Sequence, residues 1–167
     1  MASLPAREFL TALAGNDVSR AVLPVESNGT ATCDVRHWVR NQLRVWDLRE
    51  PGTFIDRVVL TVSELFTNAV LHARTRPLDE SELVDVALLK SPIALGLRVS
   101  DNCCRMPPLT AVRPPAYAAH GRGLVLVDAE ADAWTAVPRK DGGEDEAHGK
   151  DVWAFWLLGA AVLPQAV

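Results

Sequence analysis

The stretch TFIDRVVLTVSELFTNAVLHA, residues 53–73, carries the clearest helical pattern in the chain. Apolar residues recur there at spacings of three and four, which predicts a helix with one buried face. Thr53 and Asp56 resemble an N-terminal capping box with the shorter acid. The apolar positions of this segment are Ile55, Val58, Val59, Val62, Leu65, Phe66, Ala69 and Val70.

The same segment has a short polar stripe, formed by Thr61, Glu64, Asn68 and His72. Residues four apart lie on one face of a helix, so Glu64 and Asn68 are neighbours on adjacent turns. Such a stripe is commonly a solvated face. A carboxylate and an amide oxygen in this arrangement could equally hold a hard cation or orient a water molecule. The helix alone leaves both interpretations open.

Outside this helix, hydrophobic patterning predicts further helices and strands, with the helices and the antiparallel strands segregated along the chain. The predicted elements are an edge strand over 20–25, a helix over 32–48, strands over 83–89 and 93–100, a helix over 123–131, and strands over 134–137 and 151–158. Pro24 is tolerated in an edge strand, and Thr32 or Asp34 could cap the helix over 32–48. This segregation predicts an α+β two-layer α/β sandwich, with a mixed, mostly antiparallel sheet and helices on one face. Residues 1–19 are then an N-terminal extension, 20–158 the domain and 159–167 a C-terminal tail.

Composition narrows the classes of protein that this chain can be. With 167 residues, 49 % hydrophobic and 23 % charged, it fits one globular domain rather than a disordered chain. A net charge of −4 disfavours a nucleic-acid partner, since phosphate neutralisation needs a basic surplus. The sequence contains no apolar run of about 18 residues, so we expect no membrane span. Three cysteines fit neither a disulfide framework nor a zinc pair, and reduced thiols favour the cytoplasm.

Two further positions lie where an element begins or ends. Asp101 ends a predicted strand and enters a proline-rich loop over 101–122. A loop of this length in a compact domain is either disordered or functional, for example as a lid. Asp101 could form a local turn or accept a hydrogen bond from an amino group. Gly121-Arg122-Gly123-Leu124 opens the next helix, where free N–H groups favour an anion. A flexible hinge with a helix cap explains the same four residues equally well.

Taken together, these segments resemble the histidine-kinase-like ATPases, also called GHKL or Bergerat-fold ATPases. The segment from Glu64 to Ala69, followed by His72, is similar to their N-box. The Val99-Ser100-Asp101 segment resembles the box that meets adenine. The residues around 120–124 resemble the glycine box after the ATP lid, and Gly149-Lys150 resembles the closing strand motif. Within this family, the sequence most resembles the small stand-alone bacterial group of anti-sigma-factor serine/threonine kinases and their ATP-binding relatives.

The resemblance implies a role for each matching residue. Asn68 would ligate a Mg²⁺ ion that bridges the phosphates of ATP. Glu64 would be the catalytic residue, either as a base or by positioning a water molecule, close to the γ-phosphate. Asp101 would bind the adenine amino group, while Gly121, Arg122 and Gly123 would wrap the phosphates. The remaining nucleotide-binding positions would be His72, Leu124, Lys150 and Asp151. The implied partners are a sigma factor, an anti-sigma antagonist protein that accepts phosphate on serine, and a second copy of the chain in a homodimer.

Two residues depart from the family pattern. Cys103 stands where the family has a glycine two residues after the adenine aspartate. Asp151 stands where the family has a threonine or serine after Gly-Lys. A second carboxylate beside Asp101 would disfavour ionisation of both groups, so we expect weakened nucleotide affinity. The alternative function is therefore a non-catalytic module on the same fold, which binds nucleotide or a partner protein.

Overall fold

A five-stranded sheet forms the centre of the computed structural model, which describes residues 5–48, 53–77, 80–108, 123–140 and 146–159. In chain order the elements are α1 (Ala6–Ala12), β1 (Ser19–Glu26), α2 (Ala31–Val45), α3 (Phe54–His72), β2 (Leu83–Lys90), β3 (Ala94–Asp101), α4 (Gly123–Glu130), β4 (Ala133–Arg139) and β5 (Gly149–Leu157). Every helix and strand that the sequence predicts is present, with ends within three residues of the prediction. The helix α1 was not predicted.

The strands are ordered β1-β2-β3-β5-β4, and each neighbouring pair is antiparallel. The predicted α+β fold is thus confirmed, and none of the described strands forms the parallel pair that a mixed sheet would include. The strand β1 lies at an edge, as its proline predicted. In the centre, Asp101 of β3 faces Lys150 of β5, and Ser100 faces Asp151. Because side chains alternate along a strand, these two pairs lie on opposite faces of the sheet.

The helices α2, α3 and α4 cover one face of the sheet. The long helix α3 contributes most to this interface, because Val58, Val62 and Phe66 are fully buried. They belong to one hydrophobic cluster with Leu97 of β3 and Trp156 of β5. This cluster forms the main core and holds α3 at a fixed position over the centre of the sheet.

The starts of α2 and α3 differ from the predicted caps. The Oδ1 atom of Asn28 accepts a hydrogen bond from the backbone N–H of Ala31 at 3.0 Å. The helix α2 therefore begins at Ala31, before Thr32 and Asp34. Thr53 does precede α3, but its side chain makes no capping hydrogen bond. Its backbone has φ −91° and ψ 13°, whereas a capping residue is usually extended. The predicted capping box is therefore wrong.

The N-terminal helix α1 packs on the opposite face of the sheet from α2, α3 and α4. Its Phe9 is fully buried and stacks on Phe155 of β5, with ring centroids 5.2 Å apart. Leu13 lies over Gly96 of β3, where an added Cβ would come within 2.5 Å of its Cδ1 atom. Residues 6–13 therefore cover the other face of the sheet, its back. The helices do not all lie on one face, because α1 packs on the face opposite α2, α3 and α4.

Parts of the expected organisation lie outside the described residues. The tail over 159–167 is described only at Gly159, and the loop over 101–122 only as far as Pro108. The domain limits of 20 and 158 remain predictions. Among the described helices, none combines the length and hydropathy that crossing a membrane requires.

Candidate functional site

A cavity of about 380 Å³ opens between α3, the start of α4 and the ends of β3 and β5. Its apolar wall comes from α3 through Leu65 and Ala69, and from the sheet through Val99 and Val152. On the α3 side the wall also includes polar Asn68 and His72, because the cavity lies at the boundary between the buried face of α3 and its polar stripe. The volume is within the range of small-molecule sites, and an apolar wall with a few polar groups is typical of them.

The polar stripe of α3 meets the first residue of α4 at this cavity. A Cβ added to Gly123 would lie 3.0 Å from Oε2 of Glu64 and 3.2 Å from Nδ2 of Asn68. Neither polar side chain has a hydrogen-bond partner among the described residues, unlike Thr61, which donates to the carbonyl oxygen of Arg57. Partial burial raises the pKa of the Glu64 carboxyl. The stripe is therefore half-enclosed by α4 rather than fully solvated.

At the other wall, Asp101 is a buried carboxylate at the end of β3, with 3 % of its surface exposed. Its Oδ1 atom accepts hydrogen bonds from Lys150 Nζ at 2.8 Å and from the backbone N–H of Cys103 at 2.9 Å. Within the described residues no hydrogen bond reaches Oδ2. Burial raises the pKa of the Asp101 carboxyl, and the bonds from Lys150 and Cys103 act in the opposite direction. This carboxylate can therefore accept a further hydrogen bond from a donor group of a ligand.

The start of β5 is pressed closely against the end of β3. A Cβ at Gly149 would lie 2.1 Å from the carbonyl oxygen of Asp101, so a side chain there would require the backbone to move. This approach brings Lys150 into the cavity, where it is 7 % exposed. Its ammonium also donates to the carbonyl oxygen of Cys103 at 3.1 Å. Cys103 contacts Asp101 and Lys150 only through backbone atoms. The presence of cysteine instead of the family's glycine at this position therefore leaves both contacts intact.

Six of the predicted site residues line the cavity. They are Asn68, His72, Asp101, Gly123, Leu124 and Lys150. Glu64 does not line it but contacts its edge beside Gly123. Gly121 and Arg122 lie outside the described residues.

The structure does not bring Asp151 to the cavity. Its Oδ1 atom accepts a hydrogen bond from Ser100 Oγ at 2.6 Å, and Arg98 lies 3.9 Å from its Oδ2 atom. Both partners are on the back of the sheet, because Asp151 is one residue out of phase with Lys150. The expected repulsion between Asp101 and Asp151 is therefore replaced by a salt bridge between Asp101 and Lys150.

Two residues of the cavity were missed by sequence reasoning. Arg105 and Met106 follow β3 and line the cavity beside Pro107. Arg105 is exposed there and could approach an anionic ligand. Its segment has no helical or strand periodicity, so the only signal in the sequence was a single basic residue shortly after Asp101.

A second cavity of about 470 Å³ is larger but has a structural explanation. It surrounds Glu82, whose carboxylate accepts hydrogen bonds from Thr75, from the backbone of Arg76 and from Asn102. Burial raises the pKa of Glu82, but these bonds outweigh it and hold the pKa below its usual value. Its carboxylate thus ties the segment after α3 to the ends of β2 and β3, which leaves the smaller cavity as the candidate site.

Metal binding at the candidate site would depend on the ligand as well as on the protein. The described residues contain no group of three or more histidine, cysteine or acidic side chains that could hold a metal. Mg²⁺ commonly takes one or two protein ligands and completes its shell with phosphate oxygens and water. The amide of Asn68, which has no hydrogen-bond partner within the described part of the chain, fits such a single contact.

Comparison with known protein families identifies the family to which this domain belongs. The model of the histidine kinase-like ATPase domain matches residues 25–154, which include the last two residues of β1, the elements from α2 to β4, and most of β5. The chain therefore belongs to the histidine kinase-like ATPase domain family. No curated protein matches the sequence significantly. Family membership and the cavity support an ATP-binding regulatory role.

Proposed function

We propose that this protein is an ATP-dependent serine/threonine kinase of the anti-sigma-factor type. In this proposal it transfers the γ-phosphoryl group of Mg-ATP to a serine of an antagonist protein and so controls a sigma factor, and thereby transcription. It would act as a homodimer in the cytoplasm. The observation that carries the proposal is the cavity in which α3 presents Asn68 opposite the buried pair of Asp101 and Lys150.

Each wall of the cavity suits a different part of the nucleotide. The apolar surface of Leu65, Ala69 and Val152 offers a slot for a flat base, with the free oxygen of Asp101 at its inner end. The start of α4 at Gly123 offers backbone N–H groups, which favour phosphate at a helix N-terminus. Asn68 lies between these ends, where a Mg²⁺ ion that bridges phosphates would require an oxygen ligand.

Glu64 is the residue that we assign to proton transfer. In the proposed reaction the serine hydroxyl attacks the γ-phosphorus, the bond to the ADP oxygen breaks, and the hydroxyl proton passes to the Glu64 carboxylate. A raised pKa suits this role, because a base works best when its pKa approaches the working pH. Most of the acceleration in phosphoryl transfer comes from positioning and charge neutralisation, so the base contributes only one part.

A non-catalytic nucleotide-binding or partner-binding module is the second candidate. The observation in its favour is that Glu64 lies behind Gly123 and is absent from the described cavity lining. A protein that binds nucleotide without transferring phosphate needs Asn68 and Asp101 but has no need of Glu64. The two candidates therefore differ in the predicted importance of one side chain.

Phosphate transfer from radiolabelled ATP to a candidate antagonist protein would separate the two functions. The kinase proposal expects labelled antagonist with the wild type, and none with Glu64→Gln, which keeps the shape but cannot accept the proton. Glu8→Gln is the matched control, because Glu8 lies in α1 on the other face of the sheet. Nucleotide binding without transfer to any antagonist protein would favour the non-catalytic module. Absence of nucleotide binding would contradict the kinase proposal and leave only a module that binds a partner protein without nucleotide.

A further inference from the structure

We infer that Lys150 reads N1 of adenine, so that Asp101 and Lys150 together recognise the base by its amino group and the adjacent ring nitrogen. This inference rests on the proposed function, since it takes ATP as the ligand of the cavity. It makes Lys150 a specificity-determining residue. The family pattern instead has a hydroxyl residue at the next position, which is Asp151 in this chain.

The first argument is a count of the donors on Lys150. An ammonium group has three N–H donors and no acceptor. One donor goes to Oδ1 of Asp101 and a second to the carbonyl oxygen of Cys103. Within the described residues no acceptor takes the third, although the side chain is 9 % exposed and lines the cavity. A buried donor of a charged group is costly to leave unbonded, so an acceptor on the ligand would stabilise it.

The second argument is the position of this free donor relative to the free acceptor. Asp101 uses Oδ1 to bind Lys150, which leaves Oδ2 on the same carboxylate for a ligand. A donor and an acceptor thus lie side by side at the inner end of the cavity. Adenine presents the complementary pattern, with the acceptor N1 next to the donor amino group on C6.

The third argument is the effect on other bases. In guanine and hypoxanthine the group on C6 is a carbonyl oxygen and N1 carries a proton. A carbonyl would face the Asp101 carboxylate, and an N–H would face the Lys150 ammonium, so both contacts would be repulsive. Unpaired or repelled polar groups in a buried site discriminate strongly between ligands. The pair should therefore exclude 6-oxopurine nucleotides.

The test is a comparison of nucleotides on the unmodified protein, with binding measured by calorimetry. The probes are Mg-ATP and Mg-1-deaza-ATP, in which a C–H group replaces N1 while the amino group stays. We expect 1-deaza-ATP to bind about 10- to 100-fold more weakly, the range for one hydrogen bond to a charged group. Mg-ITP, which has a carbonyl on C6, should bind more weakly still. Equal affinity for ATP and 1-deaza-ATP would overturn the assignment of Lys150 while leaving the proposed function intact.

Variants attribute that difference to Lys150. Replacing Lys150 alone would leave Asp101 buried without its counter-charge, which is strongly destabilising. The double variant Asp101→Leu with Lys150→Met removes both charges and leaves no side-chain hydrogen-bond donor at these two positions. In this variant we expect 1-deaza-ATP and ATP to bind equally. Lys90→Met is the control, because Lys90 lies at the opposite end of the sheet and should keep the wild-type ratio.

Each result has a distinct meaning. A wild-type preference for ATP that disappears in the double variant supports the inference. A preference that persists there contradicts it, because N1 would then be read by another group. A wild type that binds no ATP at all overturns the proposed function, and this inference with it.

Discussion

Replacement of Asn68 by alanine separates a binding residue from a solvated helix face. Asn68 has no hydrogen-bond partner in the described residues, so its loss removes no contact within the protein. Alanine also has a higher helix propensity, and we expect the free energy of unfolding without ligand to rise by about 0.5 kcal/mol. The fold should therefore survive, and any loss of nucleotide binding would be local.

The expected effect on binding follows from mass action. ATP at 100 times its Kd stabilises the native protein by about 2.7 kcal/mol. For a protein of this size that raises Tm by about 5–10 °C. If removal of the Mg²⁺ ligand weakens binding about 100-fold, the same ATP concentration equals the new Kd and adds only about 0.4 kcal/mol. The increase in Tm then falls to about 1–2 °C.

The measurement is thermal unfolding with and without Mg-ATP. Asn41→Ala is the matched control, because Asn41 is an exposed residue of α2 and should keep the full ligand-induced shift. A shift in Asn68→Ala as large as in the wild type would refute the metal-ligand assignment. The polar stripe on α3 would then be an ordinary solvated face.

Three further predictions concern the carboxylates. Glu64→Gln should bind Mg-ATP like the wild type but lose phosphate transfer, which calorimetry and a radiolabel assay would show together; a loss of binding would assign Glu64 a different role. ATP affinity should decrease on acidification, and the decrease should begin at a higher pH than an ordinary aspartate would cause, because burial raises the pKa of the Asp101 carboxyl. Calorimetric titration of the double variant Asp101→Leu with Lys150→Met should lack this component, and an identical pH profile in both proteins would contradict the assignment. Asp151→Thr should leave nucleotide affinity unchanged and lower the free energy of unfolding by about 1–2 kcal/mol through loss of the bond from Ser100, whereas tighter binding would restore the repulsion hypothesis.

The order of the elements could be predicted because each has a strong local signal. The periodicity of residues 53–73 and the Pro24 signal for an edge strand depend on the local sequence alone. The helix α1 was missed because seven residues give too short a pattern. Its signal was the helical spacing of Ala6, Phe9, Leu10 and Leu13, and the Gly96 surface that accommodates Leu13 lies far away in the sequence.

The candidate site was predicted as a set of residues but not as a set of pairs. Asn68, Asp101 and Lys150 were each identified from motifs, yet Asp101 was expected to face Asp151. The register of β3 and β5 decides which residue it faces, and a shift of one residue exchanges the two faces of a strand. A register between strands separated by 47 residues or more has no local signal in either strand.

The position of β5 in the sheet also bears on how the chain folds during synthesis. This strand is the last described element to leave the ribosome, yet it lies between β3 and β4. Until it emerges, β1, β2 and β3 can pair in sequence, while β4 has no neighbour and one edge of β3 stays open. Exposed strand edges favour aggregation. Since β5 also supplies Lys150, a nascent chain would complete its central sheet and its nucleotide pocket in the same late step.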